Sequence, residues 1–498
     1  MKPKFKWTLL VWMITSMAAL AGCSPAQPAV PSAAQTLPLE TCWLSQEGLS
    51  VQVQAQCGTL EVPEDPAAPS GRRISLRVAV IPAQSRTPSE DPLFLLAGGP
   101  GQAASEAFLP LISALNRANF KRDLVMVDQR GSGASAPLKC DIPENDQDGL
   151  RGEMPDLADY QQWAADCRAN LNADPQFYTS MEAIHDLEAV RQALGYDQIN
   201  LLGVSYGTRT AQLYQQNYPQ NVRTMILDGV VPANWPIGSK MVEDAQRALD
   251  INFDRCKQQE GCQQAFPDIK TEFETLLSQL DSESRQVSLP HPLTGENVSV
   301  SLTAEGVSST IRLMSYNHLT AALVPLVIHQ AQTEGNWQPL AAQYLIITES
   351  LGQSIHDGLY YAVMCSEDIP FFNTQPAEDA GYLRSTLQYT QALCQEWGLP
   401  ADPVATSLPP ASNVPTLLIS GEADPVTPPA NGDAAAVYLP NSLHLVMPEM
   451  GHNNFAEGCL PLVIRDFLQS GAVQGLDTAC ISQIKAAPFF VHPSGPRP

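Results

Sequence analysis

Apolar positions along this chain change period twice. Three early stretches, "ISLRVAVIPA" (74–83), "PLFLLAGGPG" (92–101) and "RDLVMVDQRGSG" (122–133), hold β-branched or leucine-rich runs that end in glycine or a turn, the pattern of strands. Residues 180–231 then read as helix, strand, tight turn, helix, strand. Ile184, Leu187, Val190 and Leu194 fall on one helical face, while "INLLGV" (199–204) and "TMILDGV" (224–230) are short continuous apolar runs, so a parallel sheet covered by helices is expected. From about 233 to 409 helical periods take over, as in "KMVEDAQRALDINFDRC", "IKTEFETLLSQL" and "LTAALVPLVIHQA", with few convincing strands. Strand texture returns at "VPTLLISGEADPVTPP" (414–429) and "SLHLVMPEMGHNNF" (442–455), followed by the helix "CLPLVIRDFLQSG".

The late strands need the early ones as neighbours. Residues 41–232 and 410–498 are therefore read as the two parts of one α/β sheet domain, and 233–409 as a large helical cap inserted between them. The tail "VHPSGPRP" (491–498) is expected to fray. A length of 498 residues suits one large domain with a big insertion, and 44% apolar with 16% charged residues is a soluble globular composition.

The amino end departs from that body. Residues 1–22 join a basic start (Lys2, Lys4, Lys6) to an apolar stretch and small residues, an export signal, and "LAGC" (20–23) resembles the bacterial lipobox, which implies lipidation of Cys23. An ordinary secretory signal is the alternative. The expected site is the cell envelope, on the periplasmic face of the outer membrane in a Gram-negative source, with residues 23–40, rich in Pro, Ala and Ser, as a flexible tether. Loss of residues 1–22, which carry three lysines and no acid, takes the formal charge from −24 to −27. So acidic a body excludes nucleic acid as a partner and favours the cationic end of a substrate.

Cysteine count supports an oxidising compartment. Beyond Cys23 there are ten, and their spacing suggests neighbours in order: Cys42 with Cys57, Cys140 with Cys167, Cys256 with Cys262, Cys365 with Cys394, and Cys459 with Cys480. Zinc is the competing reading, but there is no CxxC and no histidine cluster beside these cysteines, so neither metal nor organic cofactor is expected.

Candidate chemistry centres on "GVSYG" (203–207), a G-x-S-x-G set between a strand and a helix. That context makes a turn tight enough to lift the Ser205 hydroxyl above the sheet. A serine needs a base and an orienting acid, and Asp424 and His452 each follow a late strand, in the order serine, acid, histidine. Both would reach the carboxyl edge of the sheet with Ser205. Glu422 is the alternative acid. The backbone N–H of Tyr206 and one from the "GGPG" loop (98–101) are the expected donors to an oxyanion. The remaining histidines, 185, 291, 318, 329, 356, 444 and 492, read as surface or core residues, and Asp128 and Arg130 as an internal pair of their loop.

"GGPG" (98–101), "DQRGSGAS" (128–135), "GVSYGT" (203–208), "GEADPVTP" (421–428) and "GH" (451–452) together resemble the proline iminopeptidase and tripeptidyl aminopeptidase family of α/β-hydrolases, in particular its exported, lipoprotein-type tripeptidyl aminopeptidase branch. The resemblance implies a Ser205–Asp424–His452 triad, Gly99 as the second oxyanion donor, and a serine exopeptidase that cuts oligopeptides near a free amino terminus. It also implies cap carboxylates that hold that terminus, for which Glu367 and Asp368 in "MCSEDIP" (364–370) are the candidates; a solvated acidic loop is the plainer reading. Ala97 stands where cytoplasmic proline iminopeptidases usually carry histidine, so strict proline preference is not implied. A serine esterase on the same scaffold and a non-catalytic binding lipoprotein are the alternatives.

Overall fold

A computed structural model describes residues 36–46, 51–140, 157–372 and 384–496, so the signal, Cys23 and most of the tether lie outside the described residues. Among the described residues eleven strands follow in chain order: β1 (Glu40–Ser45), β2 (Gln52–Pro63), β3 (Arg73–Ile81), β4 (Leu93–Leu96), β5 (Leu124–Val127), β6 (Ile199–Val204), β7 (Val222–Asp228), β8 (Arg285–Pro290), β9 (Asn297–Leu302), β10 (Thr416–Gly421) and β11 (Ser442–Met447). Nine of them form one sheet in the order β1-β2-β3-β5-β4-β6-β7-β10-β11. Pairing is antiparallel from β1 to β5 and parallel from β5 to β11.

The continuous apolar runs are buried on both faces because successive side chains alternate. Leu93, Leu95, Leu202, Val204, Leu417 and Ile419 join one core with the helix Leu460–Ser470. Phe94, Leu96, Ile199, Leu201 and Leu418 join the other, beneath α1 (Ser180–Leu194) and α2 (Tyr206–Asn217). Thr179 caps α1 by accepting the Glu182 N–H, and Gly195 in the left-handed region ends it. Parallel pairing aligns the carboxyl ends of β4, β6, β7, β10 and β11, so the glycine loop, Ser205, Asp424 and His452 all leave the sheet at one edge.

Between β7 and β10 lies the inserted region, with α3 (Met241–Gln258) and α4 (Ala304–Met314) prominent in it. Leu249, Phe253, Ile311 and Leu340 give it a core of its own. Three details go beyond the sequence expectations, and one expectation, the fraying of the tail, is corrected. The inserted region carries strands, since β8 and β9 form an antiparallel hairpin that buries Val287 and Leu289; runs of six residues with mostly polar partners gave too little apolar signal. "LTAALVPLVIHQA" forms two helices, His318–Ala321 and Val324–Gln332. The helix Leu157–Asn170, from the first part of the chain, packs with Arg384–Trp397 of the insert, Tyr160 meeting Tyr389 edge-on. The tail docks: Phe489 is buried in the cap core, the Phe490 N–H donates to Ala322 O at 3.0 Å, and residues 491–495 close a turn. All five neighbouring cysteine pairs are disulfide-bonded.

Candidate active site

Ser205 stands between β6 and α2 with φ 56° and ψ −122°, a conformation that L-residues avoid. The turn closes because its flanking glycines have no side chains: a Cβ at Gly203 would overlap Gly207 O, and one at Gly207 would overlap Leu96 O. Ser205 N–H donates to Asp228 O at 2.9 Å, and Ser205 O accepts from Thr208 N–H at 2.9 Å and Thr208 Oγ1 at 2.6 Å. These bonds fix the turn from both sides and leave the nucleophile partly exposed above the sheet edge.

Asp424 and His452 meet at the same sheet edge. Asp424 Oδ2 lies 2.8 Å from His452 Nδ1 and accepts the Thr427 hydroxyl at 2.8 Å; Oδ1 accepts the Val426 and Thr427 N–H groups at 2.8 and 2.9 Å. Burial pushes this carboxyl up, but the charge and hydrogen bond of His452 and the backbone donors outweigh it, and Asp424 is held below the usual carboxylate value. Glu422, the alternative acid, is exposed and instead accepts the Glu449 N–H at 2.9 Å. The cap supports both loops. Arg247, on α3, donates to Glu422 O and Asp424 O at 2.7 Å each, and Tyr316, just past α4, accepts the His452 N–H at 2.7 Å and packs its ring 5.0 Å from the imidazole.

The "GGPG" loop lies against the nucleophile: a Cβ at Gly98 would sit 3.1 Å from Ser205 Cβ, and Gly99 has φ 104°. Among the described residues neither the Gly99 N–H nor the Tyr206 N–H makes a hydrogen bond within the protein, so both stay available as donors to developing negative charge. His356 holds this loop from the cap. Its N–H and Nδ1 meet Gly101 O at 3.0 and 3.1 Å while Nε2 accepts the Gly133 N–H at 3.0 Å, which fixes the neutral Nδ1–H tautomer. Burial, then the charge of Lys139, lowers its pKa to about 4 against the pull of the Gly101 bond.

Two expectations about charged residues change. Asp128 and Arg130 do not pair: Asp128 accepts from Ser105, and Arg130 reaches Asp186 with two bonds of 2.7 Å. Glu367 and Asp368 are not on a solvated loop and present no open carboxylate to a ligand. Both are fully buried. Asp368 takes Arg209 at 2.7 and 3.1 Å and the Ile237 N–H at 2.6 Å, while Glu367 takes the Ser180 N–H and hydroxyl at 2.6 Å each. Ser180 in turn bonds the Tyr206 hydroxyl at 2.8 Å, so this network braces the residue that follows the nucleophile. Burial raises Glu367 to about 7, with Asp368 adding to the rise and Arg209 and Ser180 opposing it.

An open glycine loop, a strained serine after a parallel strand, and a buried acid–histidine pair from the loops after β10 and β11 form one arrangement at one sheet edge. Family models agree with it: one described as alpha/beta hydrolase fold matches residues 91–308, and one described as TAP-like protein matches 380–480. The chain has the α/β-hydrolase fold. Serine protease Hip1 of Mycobacterium tuberculosis is 28% identical over 96% of this chain and 99% of its own length. Tripeptidyl aminopeptidase of Streptomyces coelicolor is 32% identical over 40% of this chain and 39% of its own. Among solved structures, a proline iminopeptidase from Mycobacterium smegmatis aligns over 83% of this α/β-hydrolase and 98% of its own chain, with 16% identity and a TM-score of 0.40.

Residues that act through tertiary contact escaped the sequence reading. Arg247, Tyr316 and His356 come from the cap and carry no motif; Asp228, closing β7 beside the site, lay inside an apolar run. Its placement one residue before Gly229 at a strand end was the available signal. Among the described residues no cluster of three His, Cys, Asp or Glu side chains is arranged to hold a metal.

Proposed function

We propose that this α/β-hydrolase is a serine exopeptidase that cleaves oligopeptides near a free amino terminus, with Ser205, His452 and Asp424 as its triad. The observation that carries the chemistry is the Asp424–His452 pair, buried and bonded at 2.8 Å, at the sheet edge where the turn holds Ser205. His452 Nε2 takes the Ser205 proton as Oγ bonds to the substrate carbonyl carbon, and Asp424 steadies the imidazolium through Nδ1–H. The oxyanion is held by the N–H groups of Tyr206 and Gly99. The C–N bond then breaks as His452 returns the proton to the leaving amine, and water, deprotonated by the same histidine, releases the acyl group.

Restriction to oligopeptides is supported by the cap, which reaches the acid and histidine loops through Arg247 and Tyr316 and the glycine loop through His356. A cap over this edge of the sheet favours short, flexible substrates over folded proteins. Attraction of the substrate ammonium is supported by a formal charge of −24. The relatives named serine protease and tripeptidyl aminopeptidase agree with peptide-bond cleavage. We propose further that Cys23 is lipidated and anchors the enzyme in the cell envelope, where five disulfides suit an oxidising compartment.

A fluorophosphonate probe should label wild type at Ser205 and leave Ser205→Ala unlabelled, with hydrolysis of unblocked tripeptidyl anilides lowered on the order of a million-fold in the variant. N-acetylated anilides should be poor substrates. Equal turnover of blocked and free peptides would overturn the amino-terminal assignment, and faster turnover of simple aryl esters would favour an esterase.

A further inference from the structure

Asp228 ends β7 with a side chain that no step above uses. Its backbone oxygen accepts the Ser205 N–H at 2.9 Å, and its Oδ2 accepts the N–H groups of Asn454 and Phe455 at 2.6 and 2.7 Å. One residue thus ties the nucleophile turn to the loop just beyond His452. The next residue, Gly229, has φ 66°, and a Cβ there would stand 2.8 Å from His452 Cε1. The carboxyl is fully buried, and its Oδ1 has no hydrogen-bond partner among the described residues. A buried carboxylate oxygen without a donor is costly unless a positive charge stands near or the group holds a proton. The titratable groups facing it are His452, from the loop after β11, and Asp424, from the loop after β10; Ser205, on the β6 side, is uncharged.

We propose that Asp228 is a positioning residue of this site, which fixes the His452 loop through Oδ2 and supplies a second negative charge to the imidazolium formed when His452 takes the Ser205 proton. This rests on the serine-hydrolase reading. Asp424 binds the imidazole directly and sets its tautomer, whereas Asp228 acts on the loop backbone and through space. Burial raises its carboxyl to about 7, against the pull of its backbone donors and His452 and with Asp424 adding to the rise. Asp228 therefore changes charge near neutral pH beside the general base, and the acidic limb of the rate profile carries its titration.

Asp228→Asn keeps an acceptor for the Asn454 and Phe455 N–H groups and removes the charge. With an unblocked tripeptidyl anilide, its kcat should fall about tenfold with KM within about twofold, and the acidic limb should move to lower pH by about one unit, because the imidazolium has lost a neighbouring anion. A limb superimposable on wild type, whatever the loss of rate, means a merely structural role and overturns the proposal. A check on wild type needs no folded variant: infrared difference spectra across phosphonylation of Ser205 near pH 7 should show loss of a protonated carboxyl C=O stretch as His452 becomes charged and the Asp228 proton leaves to solvent. No such loss overturns it equally. Wild type that fails to label at Ser205 overturns both the hydrolase reading and this one, whereas labelled wild type with an unmoved limb overturns Asp228 alone.

Discussion

Asp424→Asn is a sharp test of the site because the structure dictates how the new amide must turn. Oδ1 of Asp424 receives two backbone donors, Val426 N–H at 2.8 Å and Thr427 N–H at 2.9 Å. An amide NH2 cannot face both, so the asparagine oxygen takes that place and its NH2 points at the partners of Oδ2, the Thr427 hydroxyl and His452 Nδ1 at 2.8 Å. Nδ1 must then accept, the ring proton moves to Nε2, and the nitrogen meant to take the Ser205 proton is blocked. Fixing the wrong tautomer costs about 10⁴ in kcat, or about 5 kcal/mol of barrier. The assay is the hydrolysis of an unblocked tripeptidyl anilide, with the rate of fluorophosphonate labelling in parallel and a thermal melt to show that the variant is folded. Exposed Glu422, changed to Gln, should leave the rate within about twofold of wild type. Asp424→Asn within tenfold of wild type, or a large loss from Glu422→Gln, would refute the assignment of the acid.

Three other outcomes are expected. Gly207→Ala sets a Cβ against the backbone oxygens of Leu96 and Ala97, which cannot yield as a side-chain tip can, so soluble yield and Tm should fall sharply and labelling should vanish. His356 has a folded pKa of about 4 against about 6.5 unfolded; its contribution is complete above pH 6.5 and is lost as pH falls towards 4, at most about 3 kcal/mol. Denaturant melts of wild type between pH 7 and 4 should show that slope, and His356→Gln should flatten it. Cys365–Cys394 closes a loop with a sequence separation of 29, so its removal by a double alanine substitution should cost about 3.6 kcal/mol by chain entropy, read as a lower urea midpoint.

Several parts of the molecule were legible one residue at a time. The runs that became β4, β6, β7 and β10 are apolar on both faces, which only a sheet covered on both sides accommodates. The Gly-x-Ser-x-Gly turn and the disulfide partners were legible because they depend on short separations. Hairpin β8–β9 and the docked tail were not, since their apolar residues are few and gain burial only from the helices of the cap.

Sequence by itself determined which side chains bear the candidate chemistry and in what order they leave the sheet, because period and glycine placement are local properties of the chain. Tertiary structure decided what surrounds them. Whether Asp128 met Arg130, whether Glu367 and Asp368 faced solvent, and which groups braced Asp424 and His452 all depended on segments distant in sequence. The physical reason is that a charge buried by folding must find its partner wherever the fold supplies one. Arg130 found Asp186 and Asp368 found Arg209, while Asp228, left with one oxygen unpartnered beside His452, is one place where the fold departs from that rule.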